Sequence, residues 1–430
     1  MIKKFFTTMT FWKAVGAFFL LGGAVSTYFR FVHGLGASTN LSDATPWGLW
    51  IGFDVVTGVG LAAGGFTLCG IVYVFNIKSF KPIVRPTVLT AFLGYILVVF
   101  GLMFDLGRPW AIWHAIIMWN PHSVMFEVAW CVMLYTTVLA LEFSPVVLER
   151  FKLHRALKVV KAITIPLVIA GILLSMLHQS SLGSLYLIIP EKMHPYWYSP
   201  MLPVFFFVSA MMVGLAMTIV ESYLSARAFG KTLETPLLIQ LARVMIGVML
   251  VFFMMRFLDL LHKGLLTAVF DGTIESNMLL LEVLLLAVIP LVVYNLGNYG
   301  RSRQGLFIMA ASVVVGFITN RLNVTTTSLE SYYGGVYFPS LGEFFVTASV
   351  VTMGFWIFSL AVKHLPIFPE AHAEPGEILV DVSRPAPERV LDPDAYDPSD
   401  ALLPEGVALG LGGAHASRMR GADASLNEPS

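Results

Sequence analysis

The sequence predicts an all-α polytopic membrane protein with about ten membrane-spanning helices. Of its 430 residues, 57% are hydrophobic and only 13% are charged, whereas a soluble domain carries roughly 25% charged residues. The apolar residues form about ten segments of roughly 20 residues, the length that crosses about 30 Å of hydrocarbon. The formal net charge is zero, so no overall field favours nucleic acid as a partner, and membrane lipid is the expected surrounding.

The ten predicted spans lie within a membrane domain of residues 1–368. Lys3 and Lys4 precede an apolar run that continues through Phe31 without a small-residue cleavage site, so we expect a retained first helix rather than a signal peptide. Hydropathy predicts spans at residues 11–33, 49–76, 87–107, 123–143, 162–179, 201–223, 238–261, 276–296, 304–322 and 342–364.

Positive charge alternates between the connections of these spans. Fifteen Lys and Arg residues lie in the termini and loops of one side, whereas only Arg108, Lys192 and Lys263 lie on the other. Cytoplasmic loops retain Lys and Arg, so the pattern predicts that both termini are cytoplasmic. Residues 369–430 are rich in Pro, Ala, Glu and Asp and then in Gly, Ala and Ser, and we expect them to form a disordered cytoplasmic tail.

Small residues and cysteines in the spans have plain structural explanations. Gly60 and Gly64 form a small-xxx-small pair that lets another helix approach closely, as in ordinary bundle packing. Cys69 and Cys131 lie in apolar runs without the paired spacing of a metal site. We therefore expect no metal site and no iron–sulfur cluster in this chain.

Ionisable residues inside or at the edges of the spans are the candidate functional groups. Each costs at least about 2.5–3.5 kcal/mol to insert, so such residues usually face a cavity or a partner. Most of them lie near the outer, extracytoplasmic side. They are Asp54, Asp105, Arg108, Glu127, His178 with Gln179, Arg256, Asp259, His262 and Arg321.

Two of these acids have alternative explanations. Glu127 follows NPHSVMF and precedes a long apolar run. A partly desolvated carboxyl suits proton transfer, although an acid in a first helical turn is also favoured by the helix dipole. Asp54 lies a turn below Trp47 and Trp50, and aromatic residues at this depth are also ordinary interface anchors.

Other charged residues are expected to line the same polar interior. Arg256 and Asp259 are spaced i, i+3, so they share a helix face and could neutralise each other. Glu282 and Arg243 are weaker candidates for this interior. Glu221 lies roughly 27 Å from the outer face by helix rise, near the cytoplasmic boundary, where a solvated interfacial carboxylate is an equal alternative.

The positions of the histidines bear on haem binding. His33, His114, His122, His178 and His262 all fall near the outer ends of spans, so a stacked pair of haems is not expected. A single outer haem between His178 and His262 remains a minor alternative.

Four sequence motifs follow one another along the chain. They are PWGLWIGFDVVTGVGLAAGGFTL at residues 46–68, NPHSVMFE ending at Glu127, MLHQSSLGSL at residues 176–185 followed by HPYW, and YFPS before Glu343. In this order they strongly resemble the HybB-type membrane subunit of uptake nickel–iron hydrogenases, within the wider NrfD and polysulfide-reductase membrane-subunit superfamily. The resemblance covers about residues 15–368.

The resemblance implies a protein of NrfD-like helix bundles, without haem, that exchanges electrons with menaquinone or another quinone in the bacterial inner membrane. It also implies partners on the periplasmic side: a ferredoxin-like iron–sulfur subunit and the large and small subunits of a nickel–iron hydrogenase. The local sequences MFE and IVES match Glu127 and Glu221 to two acids credited in the HybB type with proton transfer. The acidic tail at 369–430 departs from the family pattern.

The resulting hypothesis is quinone reduction at the outer ends of the early helices. Trp50 and the glycine-rich second span would form an apolar slot, with Asp54, Glu127 and His178 around the headgroup. Cytoplasmic protons would pass from Glu221 to Glu127, a distance too long for direct transfer. The groups that could bridge this gap are waters and the side chains of Arg256, Asp259, Glu282 and Arg321.

Three alternatives remain at this point. The same scaffold could serve another oxidoreductase, working on polysulfide, nitrite or a cytochrome. A secondary transporter would instead carry broken helices and binding groups near the midplane. A haem b cytochrome would use the outer histidines.

Overall fold

The structure is a computed structural model that describes residues 10–43, 45–230 and 233–368, so the tail expected at 369–430 lies outside it. The described residues are helical or irregular, and no strand occurs among them. Ten helices in this range are long and apolar enough to cross a membrane. The predicted fold class and helix count are therefore confirmed.

We number the ten spans α1 to α10 in chain order. They are α1 Phe11–His33, α2 Trp50–Val74, α3 Lys78–Asp105, α4 Val124–Arg150, α5 Thr164–Ile188, α6 Leu202–Phe229, α7 Thr235–His262, α8 Ile274–Asn295, α9 Arg303–Tyr333 and α10 Leu341–His364. Short helices in the connections are Leu35–Ser38, Pro109–Ala111, His114–Ile117, His154–Ala162, Pro190–Lys192 and Ala268–Phe270. We call the side with few Lys and Arg the outer face and the other side the basic face.

Several spans extend further than hydropathy predicts, and two of these extensions change the depth of a candidate residue. The fifth span ends at Ile188 rather than 179, and the ninth ends at Tyr333 rather than 322. Hydroxyl side chains allow these polar extensions, because they bond to carbonyls of the preceding turn, as Thr325 Oγ1 does to Arg321 O at 2.7 Å. His178 and Arg321 therefore lie inside their helices rather than at the ends.

Local signals in the sequence explain several helix ends. At the start of α10, the Ser340 hydroxyl accepts a hydrogen bond from Glu343 N and the Glu343 carboxylate accepts one from Ser340 N, which forms a capping box. Ser123 caps α4 by accepting from Phe126 N. At the end of α6, Gly230 adopts φ of 64°, a left-handed conformation that glycine takes without steric cost.

The spans pack as two bundles, α2 to α5 and α6 to α9, while α1 packs along α10 beside them. The two bundles meet where α2 crosses α6. A Cβ built on Gly64 would stand 2.9 Å from Gly214 O, and one built on Gly60 would stand 2.3 Å from Phe317 Cζ. The close helix approach predicted from Gly60 and Gly64 is therefore confirmed.

Four stretches of the spans have a π-helical hydrogen-bond pattern. They are Trp50–Thr57 and Gly70–Val74 in α2, Leu284–Val288 in α8 and Asn323–Thr327 in α9. Single π-helical turns inside α-helices are frequent at functional sites. Here one contains Asp54, and two others begin within two residues of Glu282 and Arg321.

Candidate functional site

The contacts divide the predicted site residues into three groups. The α2–α10 group contains Trp50, Asp54 and Asp105, the α4–α5 group contains Glu127, His178 and Gln179, and the α7–α9 group contains Arg256, Asp259, Glu282 and Arg321. Each group is described below with the neighbours that the sequence analysis did not identify.

Asp54 lies in the π-helical stretch of α2, buried against α3 and α10. Its Oδ2 accepts a hydrogen bond of 2.7 Å from Thr347 Oγ1. A Cβ built on Gly101 would stand 2.8 Å from the Asp54 Cβ, so the glycine makes room for this acid. Asp54 is thus a buried carboxyl with a hydroxyl partner, as a protonatable site residue would be.

Trp50 lies one turn before Asp54 and is 1% exposed. Its Nε1 donates to Glu343 O at 3.2 Å, and its ring packs on Phe104 with 5.9 Å between centroids. Trp50 therefore joins α2 to α3 and α10. Any apolar surface that Trp50 presents to a ligand is shared with the Phe104 ring.

Glu343 is a fully buried acid that ties the outer loops to α10. Its carboxylate accepts hydrogen bonds from Asn40 N at 3.0 Å, Ser340 N at 2.8 Å and the Tyr337 hydroxyl. Burial and the neighbouring Glu343 carboxylate raise the pKa of the Tyr337 phenol above its usual range, so the phenol keeps its proton and donates it. An outer cavity of about 480 Å³ is lined by Tyr337 and Asn40, among others.

Arg30 of α1 is a buried cation that the sequence analysis missed. Its Nε donates to Phe104 O at 2.6 Å and its Nη2 to Leu106 O at 2.7 Å, so it brackets Asp105 and interacts with that acid electrostatically. Asp105 Oδ1 is buried and has no hydrogen-bond partner among the described residues. Arg108 is exposed in the following loop, so Arg30 is the arginine that supports this part of the site.

In the α4–α5 group, Glu127 is bonded to the neighbouring helix. The Ser181 hydroxyl donates to Glu127 Oε1 at 2.6 Å and lies 2.8 Å from Leu177 O. Gln179, two residues before Ser181, donates from Nε2 to Val59 O of α2 at 3.2 Å. The MLHQSSLGSL motif therefore connects α5 with both α4 and α2.

His178 is fully buried, and neither of its ring nitrogens has a hydrogen-bond partner among the described residues. Its ring lies 5.7 Å from that of Tyr95, which in turn lies 4.7 Å from the ring of Tyr135. Buried polar nitrogens without partners are uncommon in proteins and call for an explanation such as a catalytic role or a bound molecule.

Glu282 is the centre of the α7–α9 group and is fully buried. Its carboxylate accepts from Trp197 Nε1 at 3.0 Å, Asn320 Nδ2 at 2.8 Å and Asn323 Nδ2 at 3.2 Å. Arg256 Nη2 lies 3.8 Å from Glu282 Oε1. All four neighbours present N–H groups to the carboxylate, which suits a structural role.

The predicted pairing of Arg256 with Asp259 is wrong. Asp259 instead pairs with Lys263, at 2.5 Å, and accepts a hydrogen bond from Ser199 at 2.7 Å. Arg256 faces Glu282 on the next helix and donates to Tyr196 O at 3.1 Å. Residues spaced i, i+3 share a helix face. In the fold, however, the ion-pair partner of Arg256 is Glu282, and that of Asp259 is Lys263.

Arg321 lies inside α9 and is held entirely by neighbours in the second bundle. It donates to Asn320 Oδ1 and Ser209 Oγ at 2.8 and 2.7 Å. Its guanidinium also lies over the rings of Phe206 and Phe317, at 3.7 and 4.3 Å from their centroids. These contacts explain how the cation is kept away from water.

Glu221 lies on α6 towards the basic face. Its Oε2 is shielded from solvent and has no hydrogen bond of regular geometry, although Thr90 of α3 lies beside it. A freely solvated interfacial carboxylate, the alternative considered from position alone, does not describe this environment. The acid faces the helices of the bundle.

Comparisons with known proteins identify relatives that cover most of the chain. The chain is 34% identical over 346 residues to the "Probable Ni/Fe-hydrogenase 2 b-type cytochrome subunit" of Escherichia coli (strain K12). The aligned residues cover 79% of this chain and 88% of that relative. The chain is 29% identical over 398 residues to the "Menaquinone reductase, integral membrane subunit" of Nitratidesulfovibrio vulgaris (strain Hildenborough), with 84% and 92% covered. Another protein of that organism is 37% identical over 374 residues, with 84% and 95% covered.

The name of the Escherichia coli relative includes a b-type cytochrome, which disagrees with our expectation that this chain holds no haem. The fit can be tested on the histidines. His178 is the one buried histidine within residues 10–43, 45–230 and 233–368, and its ring packs on Tyr95, whereas His262 is exposed at the end of α7. Haem ligation by two facing interior histidines therefore does not fit these residues.

The family assignment rests on more than one comparison. The family model described as "Polysulphide reductase, NrfD" matches residues 37–330, which contain α2 to α8 and nearly all of α9. Together with the relatives above, this match bears out the resemblance seen in the sequence motifs. The chain belongs to the NrfD family and is a multi-pass integral membrane protein.

Proposed function

We propose that this chain is the membrane subunit of a hydrogenase complex and passes electrons from a periplasmic iron–sulfur partner to menaquinone or another quinone. The observation that carries the proposal is the set of buried protonatable groups in the outer half of the spans, above all His178, whose two ring nitrogens have no partner among the described residues. The names of the Escherichia coli and Nitratidesulfovibrio vulgaris relatives support it.

The quinone would bind among Trp50, Asp54, Glu127 and His178. Reduction of a bound quinone to the quinol takes up two electrons and two protons. The side chains that can donate or relay those protons are the Asp54 carboxyl, bonded to Thr347, the Glu127 carboxyl, bonded to Ser181, and the His178 imidazole. Trp50 and the glycine-rich α2 would supply the apolar wall.

Glu127 and Glu221 are the acids that we propose to transfer protons. Glu127 lies in the first turn of α4 at the outer face. Glu221 lies towards the basic face, with its Oε2 shielded from solvent and Thr90 beside it. Arg256, Asp259, Glu282 and Arg321 each have hydrogen-bond or ion-pair partners in or beside the second bundle. These contacts support a structural role for them rather than the bridging role considered from the sequence.

The proposed partners are a ferredoxin-like iron–sulfur subunit and the large and small subunits of a nickel–iron hydrogenase. They would dock on the outer face, because the excess of Lys and Arg on the opposite face favours a cytoplasmic location for that face and for both termini. Proton uptake from the cytoplasm during quinone reduction would then separate charge across the membrane.

A second candidate is the membrane subunit of a quinone-linked complex other than a hydrogenase. It is favoured by the similarity to a subunit named for menaquinone reductase. Both candidates share the quinone site and differ only in the partner that supplies the electrons, so the subunits that copurify with the chain discriminate between them.

The quinone site is tested with Glu127→Gln and His178→Gln in the intact complex. We expect hydrogen-dependent reduction of a naphthoquinone to fall at least about a hundredfold, the usual contribution of a positioned acid or base, while hydrogen-dependent reduction of a viologen dye stays unchanged. Glu191→Gln, at an exposed acid of an outer loop, is the matched control. If both variants reduced the naphthoquinone at the wild-type rate, the proposed quinone site would be wrong.

A further inference from the structure

A cavity of about 270 Å³ lies between the basic-face ends of α2, α3, α4 and α5. Two of its basic lining residues, Arg85 and Lys161, are paired with Glu149 near the helix ends. Glu149 lies 3.0 Å from Arg85 and 3.5 Å from Lys161. These side chains belong to α3, α4 and the short helix before α5, and they lie beside an opening large enough for several waters.

Glu142 lines the same cavity two turns deeper along α4. It makes no hydrogen bond or ion pair among the described residues, in contrast to Glu149. The Cβ position of Gly171 has Glu142 Oε1 at 3.3 Å and Tyr135 Cε2 at 3.8 Å. The Glu142 carboxylate and the Tyr135 ring therefore lie no more than about 7 Å apart, a gap that bridging waters from the cavity can span.

Beyond Glu142, four fully buried polar side chains continue towards the outer face. The Ser175 hydroxyl lies beside the phenols of both Tyr135 and Tyr95, and the Tyr95 ring packs on that of His178 at 5.7 Å. None of the three hydroxyls and neither imidazole nitrogen has a hydrogen bond of regular geometry in the described part of the chain. We call these five residues, Glu142, Tyr135, Ser175, Tyr95 and His178, the α4–α5 column.

The outer end of the column meets the proposed quinone site. Ser181, one turn beyond His178 on α5, donates to Glu127 Oε1 at 2.6 Å. Glu127 and Glu142 are fifteen residues apart on α4, a rise of about 22 Å, so the column crosses most of the hydrocarbon thickness. Hydroxyls and a neutral imidazole both accept and donate hydrogen bonds, which is the property a proton relay needs.

Packing alone does not explain this arrangement. Burial of a hydroxyl or an imidazole without a partner costs free energy, and apolar side chains of similar size would avoid that cost. The second bundle shows the alternative, since Glu282 there is surrounded by donors.

We propose that Glu142 takes up protons from the cytoplasm through this cavity and that the α4–α5 column carries them to the quinone site. The inference rests on the proposed function. For each quinone reduced, two electrons come from the partner's reduced clusters and two protons arrive along the column, each replaced at Glu142 from the cavity. Glu221, on α6, lies outside this column, so proton entry at Glu142 is an alternative to entry at Glu221.

The test uses the intact complex in proteoliposomes with hydrogen as reductant and a naphthoquinone as acceptor. The variants are Glu142→Gln, Glu142→Asp, which keeps a carboxyl group, and Glu149→Gln as the control on the same cavity. The membrane potential, the rate of quinone reduction and the rate of viologen reduction are measured for each. Because Glu142 makes no hydrogen bond or ion pair with the described residues, Glu142→Gln is expected to fold normally, and its thermal midpoint verifies this.

We expect Glu142→Gln to lower the membrane potential formed per quinone reduced, or to slow quinone reduction about tenfold, with viologen reduction unchanged. Glu142→Asp should recover most of the loss, and Glu149→Gln should resemble the wild type. Wild-type potential and rate in Glu142→Gln, or an equal loss in Glu149→Gln, would overturn the inference while the proposed function stands. A wild-type complex that reduces viologen but no quinone would overturn both.

Discussion

The Ser181 hydroxyl of α5 donates a hydrogen bond of 2.6 Å to Glu127 Oε1 of α4. This bond joins the outer ends of the two helices and fixes the position of the acid that we assign to proton transfer. Ser181 belongs to the MLHQSSLGSL motif. The Ser181 hydroxyl orients Glu127, and the histidine of the same motif, His178, lies in the interior of the first bundle.

Ser181→Ala should slow quinone reduction by about tenfold or more, since a hydrogen bond to a charged group contributes about 1.5–3 kcal/mol. Ser180→Ala is the matched control, because the Ser180 hydroxyl donates to Met176 O of its own helix. Both variants are assayed with a naphthoquinone and with a viologen dye. Equal quinone rates in the two variants would argue against a role for the Ser181 bond.

Glu282→Ala should destabilise the second bundle by about 3–5 kcal/mol, because it leaves Arg256 as a buried charge without its ion-pair partner. Glu275→Ala, in the first turn of the same helix, should cost only about 0.3–1 kcal/mol through the helix dipole. The thermal unfolding midpoint of the detergent-solubilised protein is the measurement. Similar midpoints for both variants would contradict the structural role of Glu282.

Gly214→Ala should destabilise the contact between the two bundles by about 1–3 kcal/mol. Its added methyl group would stand 2.7 Å from backbone atoms of Ala63 and Gly64, which cannot move independently of α2. Gly247→Ala, inside α7 with open space at the Cβ position, should be neutral or stabilising by up to about 1 kcal/mol. A loss of stability in Gly247→Ala that matches the loss in Gly214→Ala would contradict this account of the crossing.

His194, in the loop before α6, should make stability depend on pH. Burial lowers its pKa from the ordinary value of 6.5, only partly opposed by Glu275, and its Nδ1 accepts a hydrogen bond from Tyr196 N. The unfolded chain therefore binds this proton more readily than the folded protein, so stability is present above pH 6.5 and falls as the pH is lowered below it.

The matching variant is His194→Asn, which does not titrate and can still accept a hydrogen bond from the backbone two residues on. Its unfolding midpoint should fall less between pH 7 and pH 5 than that of the wild type. His122→Asn, at an exposed loop position, controls for the loss of a histidine. A pH profile of His194→Asn that follows the wild type would show that another group is responsible.

The number of helices and the alternation of charge are predictable because each depends on a local property. A span must be apolar over about 20 residues, and loops retain Lys and Arg on one side. Hydropathy placed the ends of α5 and α9 too early, because serine and threonine side chains satisfy their own polarity by bonding to the preceding turn, as Thr325 does.

The composition of the candidate site is less predictable, because it depends on which helices touch. Sequence spacing puts Arg256 beside Asp259, but the partners chosen in the fold are Glu282 and Lys263. The depths expected from the sequence likewise place Glu127 and Glu282 at one outer level of the membrane. In the structure, Glu127 belongs to the first bundle and Glu282 to the second.

Two residues show what the sequence could and could not have revealed. Arg30 is an arginine within an apolar run, so it carried the same signal as the other intramembrane charges. Glu142 resembles Glu149 in sequence, since both are acids near the end of one helix. Only the fold shows that Glu149 is paired and that Glu142 faces a cavity without a hydrogen bond or ion pair to any residue that the structure describes.

The central claim is tested most directly by purifying this chain with its partners and measuring hydrogen-dependent reduction of a naphthoquinone. We expect the preparation to contain nickel–iron and iron–sulfur subunits, to reduce the quinone with hydrogen, and to lose quinone reduction but keep viologen reduction when this chain is removed. Copurification without a hydrogenase, or quinone reduction that survives removal of the chain, would contradict the account.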